Sequence, residues 1–474
     1  MEHEVAWKKY DDAALAKVDE LAANYIDFIS DNKTERECVK ASLALAEAAG
    51  YRPLHEVLAA GEKLMAGDKV WAISHNKTIM LVHVGTEPLE HGLNILGAHV
   101  DSPRLDVKQN PLYESNGFVL LDTHYYGGIK NYQWVALPLA LHGVIAKKDG
   151  TTVQVRIGEE ASDPVFCVTD LLPHLGQQQL KKEGAKVVEG EDLDLLVGNR
   201  PVVADDDASE DDKKAAKKDP VKNYVLGLLE QKYGIKEEDF LSAELEAVPA
   251  GRARDLGFDR SMIIGYGQDD RVCAYTSLAA QLALAADGAV PTRTAVTILV
   301  DKEEIGSVGA SGMTSQFFEN TVAEVMACAG EESPLALRHC LAASRMLSSD
   351  VSAGYDPAYS SVFETKNSAF LGKGLVFNKY TGSRGKSGSN DADAEYVALV
   401  RRIMDDADVS FQTAELGKVD AGGGGTIAYI PAKYGMDVID SGVAVLSMHA
   451  PWEVTSKADL YEARQGYEAF LLSE

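Results

Sequence analysis

Two adjacent glutamates, Glu303 and Glu304, follow the strand-like run 294–300 and precede Gly306. A strand that leads into two carboxylates and a glycine places charged groups at the edge of a sheet, where open α/β folds form their active sites. Adjacent carboxylates repel each other, so a bound cation would stabilise the pair. Acidic doublets at strand ends are otherwise usually solvated turn residues. The doublet therefore indicates metal chemistry only if other ligands converge on it.

Other strand-like segments also end in, or lie just before, a residue that can bind a metal ion. These residues are His99, Asp269, Asp350 and His449. Taken singly, each histidine would be a structural hydrogen-bonding residue and each aspartate a turn or helix cap. Ligands at the carboxyl ends of strands in one α/β unit converge in space, so we expect these four side chains to meet Glu304. A mixture of carboxylates and imidazoles suits zinc, manganese or cobalt.

Convergence of five such ligands predicts a site for two divalent ions. Two ions about 3.5–4 Å apart can hold a hydroxide between them and polarise a scissile carbonyl, which requires one bridging carboxylate. Asp269 suits the bridge, with Asp270 as the alternative. The other four ligands would complete the coordination of the two ions. The residues alone do not assign which ligand binds which ion.

Two acidic residues beside the expected ligands have other predicted roles. Glu303 would act as the general base, taking a proton from water and later delivering it to the leaving amine. Asp101 lies two residues beyond His99 on the same face of a predicted strand, so it is placed to orient that imidazole. The expected chemistry is therefore hydrolysis of an amide bond.

Composition excludes several other classes of function. The chain has 474 residues, and 73 Asp and Glu against 46 Lys and Arg give a formal charge of −27. Such a charge opposes binding to nucleic acid or anionic membranes. No apolar run reaches membrane-spanning length, and residues 1–10 lack a basic region followed by an apolar one, so a cytoplasmic protein is predicted. Five scattered cysteines without a CxxC pair indicate neither a disulfide framework nor a thiolate zinc site.

The elements that must position the site follow an interrupted α/β pattern. Helical spacing over 11–49 predicts one long or two shorter helices, and 70–85 reads as a hairpin. From 108 to 248 the texture changes to short apolar strands and a polar middle, which includes a charged run at 204–218 expected to be a solvated loop. The α/β pattern then resumes, with an Ala- and Leu-rich helix over 272–286 and a last strand over 442–449. We therefore predict an α/β fold with an inserted domain.

Several segments resemble the ordered motifs of the M18 metallopeptidases, the family of aspartyl aminopeptidase and aminopeptidase I. The joint order and spacing of these motifs is far more specific than any one of them. The matching segments are 97–105 (GAHVDSPRL), 301–307 (DKEEIGS), 349–352 (SDVS), 422–427 (GGGGTI) and 446–453 (LSMHAPWE). The match also favours a close approach of the main chain of 422–425 to the substrate, instead of a merely flexible loop.

The resemblance implies a dinuclear zinc-dependent exopeptidase that removes N-terminal residues from peptides with a free N-terminus. The family's ligands fall on the five residues predicted above, and its base falls on Glu303. The implied fold is a mixed-sheet core flanked by helices, formed by 1–107 and 249–474, with a smaller β-rich dimerisation domain at 108–248. Members build tetrahedral dodecamers from dimers, so a homo-oligomer is expected. Two zinc ions per subunit are expected, with cobalt or manganese as alternatives.

The resemblance carries over less securely at three places. His174 matches a histidine that reaches a neighbouring subunit's active site and supports the substrate carbonyl, although an ordinary structural role remains open. The family's aspartyl branch has a histidine-rich stretch after the third ligand, where this chain has 351–357 without histidine. Lys379, Arg384 and Lys386 could bind an acidic substrate group or simply occupy a loop. The preferred N-terminal residue is therefore not predicted.

Two other classes of function are compatible with the same residues. A dinuclear deacylase or carboxypeptidase would use the same ions, and substrates blocked at one end would distinguish it. A catalytically silent assembly protein is disfavoured because the predicted ligand set is complete and Glu303 is present.

Overall fold

The computed structural model describes residues 4–203, 209, 213–214, 216–382 and 385–474. The chain forms two compact units, of which unit 1 comprises Met1–Ser102, Ala253–Met448 and Trp452–Glu474. Unit 2 comprises Pro103–Arg252 and His449–Pro451. The charged run at 204–218 falls mostly outside the described residues.

Unit 1 contains most of the helices, and their ends follow local capping chemistry. Asp11 accepts a hydrogen bond from the N–H of Ala14 and begins the first helix. Thr34 and Glu37 form a capping box that begins the second, so the region 11–49 holds two helices. The α-helices of unit 1 are α1 (Asp12–Asp31), α2 (Glu35–Ala48), α3 (Leu54–Ala60), α5 (Gln268–Ala286), α6 (Phe317–Ala329), α7 (Pro334–Ala343), α8 (Ala394–Asp406), α9 (Tyr429–Ala432) and α10 (Lys457–Leu472), with α4 lying in unit 2.

A nine-stranded mixed sheet forms the centre of unit 1, in the order β1-β2-β3-β13-β4-β14-β18-β16-β17. Its central strands β13, β4, β14 and β18 are mutually parallel, so their carboxyl ends share one edge. The strands are β1 (Arg52–Pro53), β2 (Lys69–Ser74), β3 (Thr78–His83), β4 (Leu93–His99), β13 (Thr294–Val300), β14 (Arg345–Ser349), β16 (Leu375–Asn378), β17 (Phe411–Thr413) and β18 (Asp437–Gly442). The predicted hairpin corresponds to β2 and β3.

Apolar layers cover both faces of this sheet. Along β4, Leu96 and Ala98 join a core with α1, α2, α5, α8 and α10, whereas Leu93 and Ile95 join a second core with α3, α6 and α7. Alternation between the two layers is the pattern that a strand buried on both faces requires. Each fully buried Leu or Ile contributes about 1.5–3 kcal/mol relative to an exposed one. The predicted helix-flanked mixed-sheet core is confirmed.

A five-stranded sheet completes unit 1, in the order β11-β12-β20-β19-β15. Its strands are β11 (Arg254–Leu256), β12 (Met262–Gly265), β15 (Ser352–Ala353), β19 (Ala444–Leu446) and β20 (Glu453–Ser456). The predicted strand over 442–449 is wrong as a single element, because β18 ends at Gly442 and β19 at Leu446. Strands β12 and β19 therefore belong to a different sheet from β4, β13 and β14.

Unit 2 is built on a six-stranded antiparallel sheet, with one α-helix among its described elements. The strand order is β8-β7-β10-β5-β6-β9, and the helix α4 spans Pro220–Tyr233. The strands are β5 (Arg104–Ser115), β6 (Phe118–Tyr126), β7 (Leu139–Ala146), β8 (Thr152–Ile157), β9 (Leu195–Gly198) and β10 (Ala243–Pro249). None of the helices in the described ranges of either unit combines the length and apolar character needed to cross a bilayer.

Candidate metal centre

His99 is the last residue of β4, and its ring is fixed on both sides. Its Nδ1 lies 3.1 Å from the main-chain oxygen of Asp101 and 3.3 Å from Asp101 Oδ1. A carbonyl oxygen can only accept, so Nδ1 carries a hydrogen, and the neutral tautomer open to this ring is the one that leaves the Nε2 lone pair for a metal ion. Nε2 lies 3.2 Å from Asp269 Oδ1 and 3.9 Å from Asp350 Oδ1. This tautomer is the one in which a histidine binds a metal through Nε2.

Asp101 orients His99, but not for the reason that the sequence suggested. Strand β4 ends at His99, so Asp101 does not lie on the same face of a strand. It is fully buried in the segment after β4, where its main chain and its carboxylate both reach back to the imidazole. The expected contact is therefore present, and the loop rather than strand alternation produces it.

Asp269 lies at an irregular start of α5. The helix was predicted to begin near Val272, but it begins at Gln268 with non-helical angles at Asp269 (φ −82°, ψ 107°). The N–H of Asp269 donates to Glu453 Oε2 at 3.1 Å, and its main-chain oxygen accepts from Ser102 Oγ at 2.5 Å. With the main chain held on both sides, the carboxylate is directed to His99.

Asp350 directly follows β14 and completes a group of three candidate ligands. Its N–H donates to the main-chain oxygen of Ser441 at 3.0 Å, which continues the pairing of β14 with β18. One ligand atom from each of His99, Asp269 and Asp350 lies within 4.8 Å of the others; His99 and Asp269 are buried, and the side chain of Asp350 is 12% exposed. This spacing is small enough for one ion to contact all three.

Glu303 and Glu304 lie on a single 3₁₀ turn after β13, which explains how neighbours face the same side. Lys302 before the turn has a φ of 71°. The two oxygens of Asp101 accept from the N–H groups of Glu303 and Glu304, both at 3.2 Å. A carboxylate oxygen of Glu304 lies within 4.8 Å of a carboxylate oxygen of Asp269. Glu303 Oε2 lies 3.9 Å from His99 Nε2. Asp101 thus holds both the doublet and the imidazole.

Asp270, the alternative bridge, faces a different direction from Asp269. Its Oδ2 accepts from the main-chain N–H of His99 at 3.3 Å. It is fully buried, and it is not a member of the ligand groups found among the described residues. The geometry therefore favours Asp269.

Burial and mutual repulsion make this group of carboxylates unfavourable without a cation. Burial raises the pKa of Asp350 well above its usual range, and the charges of Asp270, Glu303 and Asp269 raise it further against the effect of His99. Burial likewise raises the pKa of Asp270. Divalent ions offset such repulsion, so the chemistry of the donor set fits a metal site.

His449 belongs to unit 2 and lies in the turn between β19 and β20, with a φ of 63°. Its Nδ1 is 2.8 Å from the main-chain oxygen of Gly128. The same reasoning as for His99 places the hydrogen on Nδ1 and leaves the Nε2 lone pair for a ligand. A Cβ on Gly128 would lie 3.5 Å from this ring, which is an ordinary van der Waals contact.

His174 also belongs to unit 2, in an exposed turn. Exposed leucines surround it in sequence: Leu171, Leu172 and Leu175 are 54%, 50% and 71% exposed. Contiguous exposed apolar side chains are typical of a surface that another chain covers.

Sequence reasoning missed two buried carboxylates, Glu453 and Asp440. Glu453, the last residue of a quoted motif, accepts the N–H of Asp269. Asp440 lies in the middle of β18, where it accepts from the hydroxyl of Thr426 at 2.7 Å. An aspartate inside an apolar strand is the signal that would have singled out Asp440, because an unpaired carboxylate there is costly.

Comparison with protein families gives one match that spans nearly the whole chain. Residues 28–471 match the model described as aminopeptidase I zinc metalloprotease (M18). A protein of Clostridium acetobutylicum named probable M18 family aminopeptidase 1 is 58% identical over 470 residues, covering 99% of this chain and 98% of that protein.

Solved structures show the same relationship. A crystal structure of aminopeptidase I from C. acetobutylicum has a TM-score of 0.91 at 55% identity and covers 100% of both chains. An M18 aminopeptidase from Thermotoga maritima has a TM-score of 0.91 at 41% identity over 99% of both chains. A structure described as the mApe1 dodecamer of S. cerevisiae, with a TM-score of 0.75, 20% identity and 96% and 97% coverage, shares the fold.

Proposed function

The chain belongs to the M18 family of zinc aminopeptidases, and we propose that it removes the N-terminal residue of peptides with two divalent ions. The proposed ligands are His99, Asp269, Glu304, Asp350 and His449. The observation that carries this proposal is the orientation of His99, whose Nδ1 is held by Asp101 while Nε2 faces the carboxylates of Asp269 and Asp350. With the imidazole, the carboxylates of Asp269 and Asp350 offer three ligand atoms within 4.8 Å of one another, close enough for one divalent ion to contact all three.

The donor set fits zinc, and cobalt or manganese would accept the same residues. Imidazole nitrogen and carboxylate oxygen are the donors that these ions share. His449 presents the same tautomer as His99, which supports its assignment as the fifth ligand. When bound, the ions would act as Lewis acids that polarise the scissile carbonyl and lower the pKa of water towards about 7.

Glu303 is the residue that moves the proton. Its carboxylate lies beside His99, and its main chain is held by Asp101. We assign it as the general base, which accepts a proton from the attacking water and donates it to the leaving amine. Glu303 Oε2 is as far from His99 Nε2 as Asp350 Oδ1 is, at 3.9 Å. The distances therefore do not separate base from ligand, and the assignment rests on the motif.

The test of the reaction class is a pair of peptides that differ only at the N-terminus. We expect the zinc-loaded protein to hydrolyse a free peptide and to leave its N-acetylated form intact, since an aminopeptidase requires the α-amino group. Release of the first residue, measured by chromatography, checks this. A deacylase would hydrolyse the acetylated peptide, a carboxypeptidase would release the last residue, and a silent assembly protein would release nothing.

A panel of free N-terminal aminoacyl substrates addresses side-chain preference. Lys379 and Lys386 both pair with the exposed carboxylate of Asp391, the latter at 2.9 Å. Arg384 lies outside the described residues. Exposed ion pairs contribute little free energy, so an acidic substrate could displace Asp391. The panel therefore tests whether Lys379 and Lys386 bind an acidic substrate group or simply occupy a loop.

We assign catalysis to the region 1–107 with 249–474, and oligomerisation to 108–248. Two features of unit 2 support the oligomerisation role. Its leucines at 171, 172 and 175 are exposed, and β8 and β9 are the edge strands of its antiparallel sheet. A tetrahedral dodecamer built from dimers is the proposed assembly, in line with the dodecamer described for yeast mApe1. The free cysteines Cys38, Cys167, Cys273, Cys328 and Cys340 are consistent with a cytoplasmic protein.

His174 is proposed to complete the site of a neighbouring subunit. Its exposure and its leucine flanks support contact with a second chain. If this is correct, mixing Glu303→Gln chains with His174→Ala chains should restore activity, because some sites then receive an intact residue of each kind. About a quarter of wild-type activity is expected for random dimers.

The control for this complementation is each variant mixed with itself under the same dissociation and reassembly conditions. Peptide hydrolysis by the mixture at the level of the two separate variants would contradict the role of His174 in a neighbouring site.

A further inference from the structure

A groove of about 1010 Å³ lies at one edge of the nine-stranded sheet of unit 1. It is lined by residues of the segment 365–373, of α8 and of the last strand, β17. Strand β17 is the third strand from β14, whose end carries Asp350. Neighbouring strands lie about 4.8 Å apart, so β17 is displaced by about 14 Å from β14 across the sheet. The groove is therefore separate from the candidate metal centre.

Three cationic side chains line this groove, and they are Lys366, Lys373 and Arg401. None of the three forms an ion pair with a carboxylate of the described residues. Asp405, one turn after Arg401 on α8, is the acidic residue in the described lining. Three positive charges against one negative charge make the groove cationic, on a chain whose formal charge is −27. Such a local reversal of charge is complementary to an anionic ligand.

Aromatic side chains form an apolar part of the lining, and it is held in place by hydrogen bonds. Phe370 and Phe411 are half-buried there. The side-chain amide of Gln412 accepts from the N–H of Phe370 at 2.9 Å and donates to the main-chain oxygen of Phe370 at 2.8 Å. Lys373 Nζ lies 4.6 Å from the centre of the Phe370 ring. These contacts order the groove before a ligand binds, which lowers the entropic cost of binding.

Strand β17 also offers main-chain groups to this groove. It ends the strand order and pairs with β16. The N–H of Leu375 donates to the main-chain oxygen of Ser410 at 3.0 Å. The N–H of Ala414 donates to the main-chain oxygen of Phe377 at 3.1 Å. Because successive residues of a strand direct their main-chain groups to opposite sides, this register points the N–H and C=O of Thr413, which lines the groove, away from β16. An extended peptide can pair with such an edge.

We propose that the groove beside β17 binds an extended acidic segment of another protein. The carboxylates of that segment pair with Lys366, Lys373 and Arg401, and its main chain adds a strand beside Thr413. An apolar occupant would desolvate three cations without giving them partners, which is costly. Charge complementarity therefore selects an acidic partner. This inference does not depend on the proposed aminopeptidase activity.

The probe for this groove is hexaglutamate, acetylated at its N-terminus and labelled with fluorescein at its C-terminus. We expect saturable binding to the full chain by fluorescence anisotropy, and no binding of hexaglutamine, which has a similar shape without the charge. Lys373→Glu and Arg401→Glu should each weaken binding about tenfold, because each replaces an attraction with a repulsion. Hexaglutamate methylated on its central main-chain nitrogens should also bind about tenfold more weakly, since it cannot pair with the edge of β17.

Arg402→Glu is the matched control, because Arg402 is the exposed neighbour of Arg401 on α8 and is not among the residues that line the groove. It changes the net charge of the chain by the same amount, so binding should stay within about twofold of the wild type. Equal weakening in Arg401→Glu and Arg402→Glu, or no saturable binding by the wild type, would overturn the inference. Equal affinity for a thymidine hexanucleotide, which carries a similar charge without a peptide main chain, would overturn the acidic peptide as the ligand.

Discussion

Replacing Glu303 with glutamine should lower kcat by about 10³-fold and leave the zinc content unchanged. Glutamine keeps the shape of the side chain but cannot accept a proton from water, and general-base catalysis contributes about 10²–10⁴-fold. The measurements are steady-state hydrolysis of a free peptide and zinc per chain by plasma mass spectrometry. Retention of a near-normal rate would show that another group is the base.

Glu304→Gln is the matched control, since it makes the same change one residue away on the same turn. The main-chain N–H groups of both residues donate to the carboxylate of Asp101, so the main chain is held in the same way at both positions. We expect Glu304→Gln to lose zinc as well as rate. If Glu303→Gln were the variant that lost zinc, the two roles would be reversed. The pair of variants thus decides what the 3.9 Å distances leave open.

Asp269→Asn should remove both zinc ions, whereas Asp350→Asn should remove one. Asp269 groups with His99 and Asp350 and also lies within 4.8 Å of Glu304, so it can serve both ions. An amide is a poor substitute for a bridging carboxylate. After dialysis against metal-free buffer, we expect about two zinc ions per wild-type chain, about one in Asp350→Asn and close to none in Asp269→Asn.

Thermal denaturation gives a second measure of the same effect. Ions that bind only the folded state raise Tm, so chelation should lower the Tm of the wild type and leave that of Asp269→Asn nearly unchanged. Asp269→Asn protein that retained two zinc ions would contradict the bridge. Asp270→Asn serves as a control, because Asp270 contacts the main chain of His99 instead of the ligand group.

Local pattern was a good guide to the elements and a poorer guide to their ends. Apolar periodicity predicted the helices of 11–49 and the hairpin, because these signals depend on residues close in sequence. The strand predicted over 442–449 was wrong, since a short apolar run does not reveal that β18 and β19 pair with different sheets. The irregular start of α5 was also unpredictable, because its main chain is held by Glu453 and Ser102 from distant parts of the chain.

The candidate site shows the same difference between what the local sequence predicts and what distant contacts decide. The chain order of His99, Asp269, Glu303 and Asp350 was sufficient to suggest hydrolytic metal chemistry, because few reactions need those residue types at strand ends. Asp440 and Glu453 were not found, since a lone carboxylate in a sequence carries no sign of what it will face. Their roles depend on hydrogen bonds to Thr426 and Asp269 that exist only in the folded chain.

The residues alone indicate the types and the order of the candidate ligands, and their motifs indicate the family to which the chain belongs. The folded chain shows how Glu303 and Glu304 turn to one side, how Nδ1 of His99 is held and why Asp269 rather than Asp270 faces the group. The physical reason is that hydrogen bonds and electrostatic repulsion act over a few ångströms of space, whereas the residues concerned are up to about 200 positions apart in the chain.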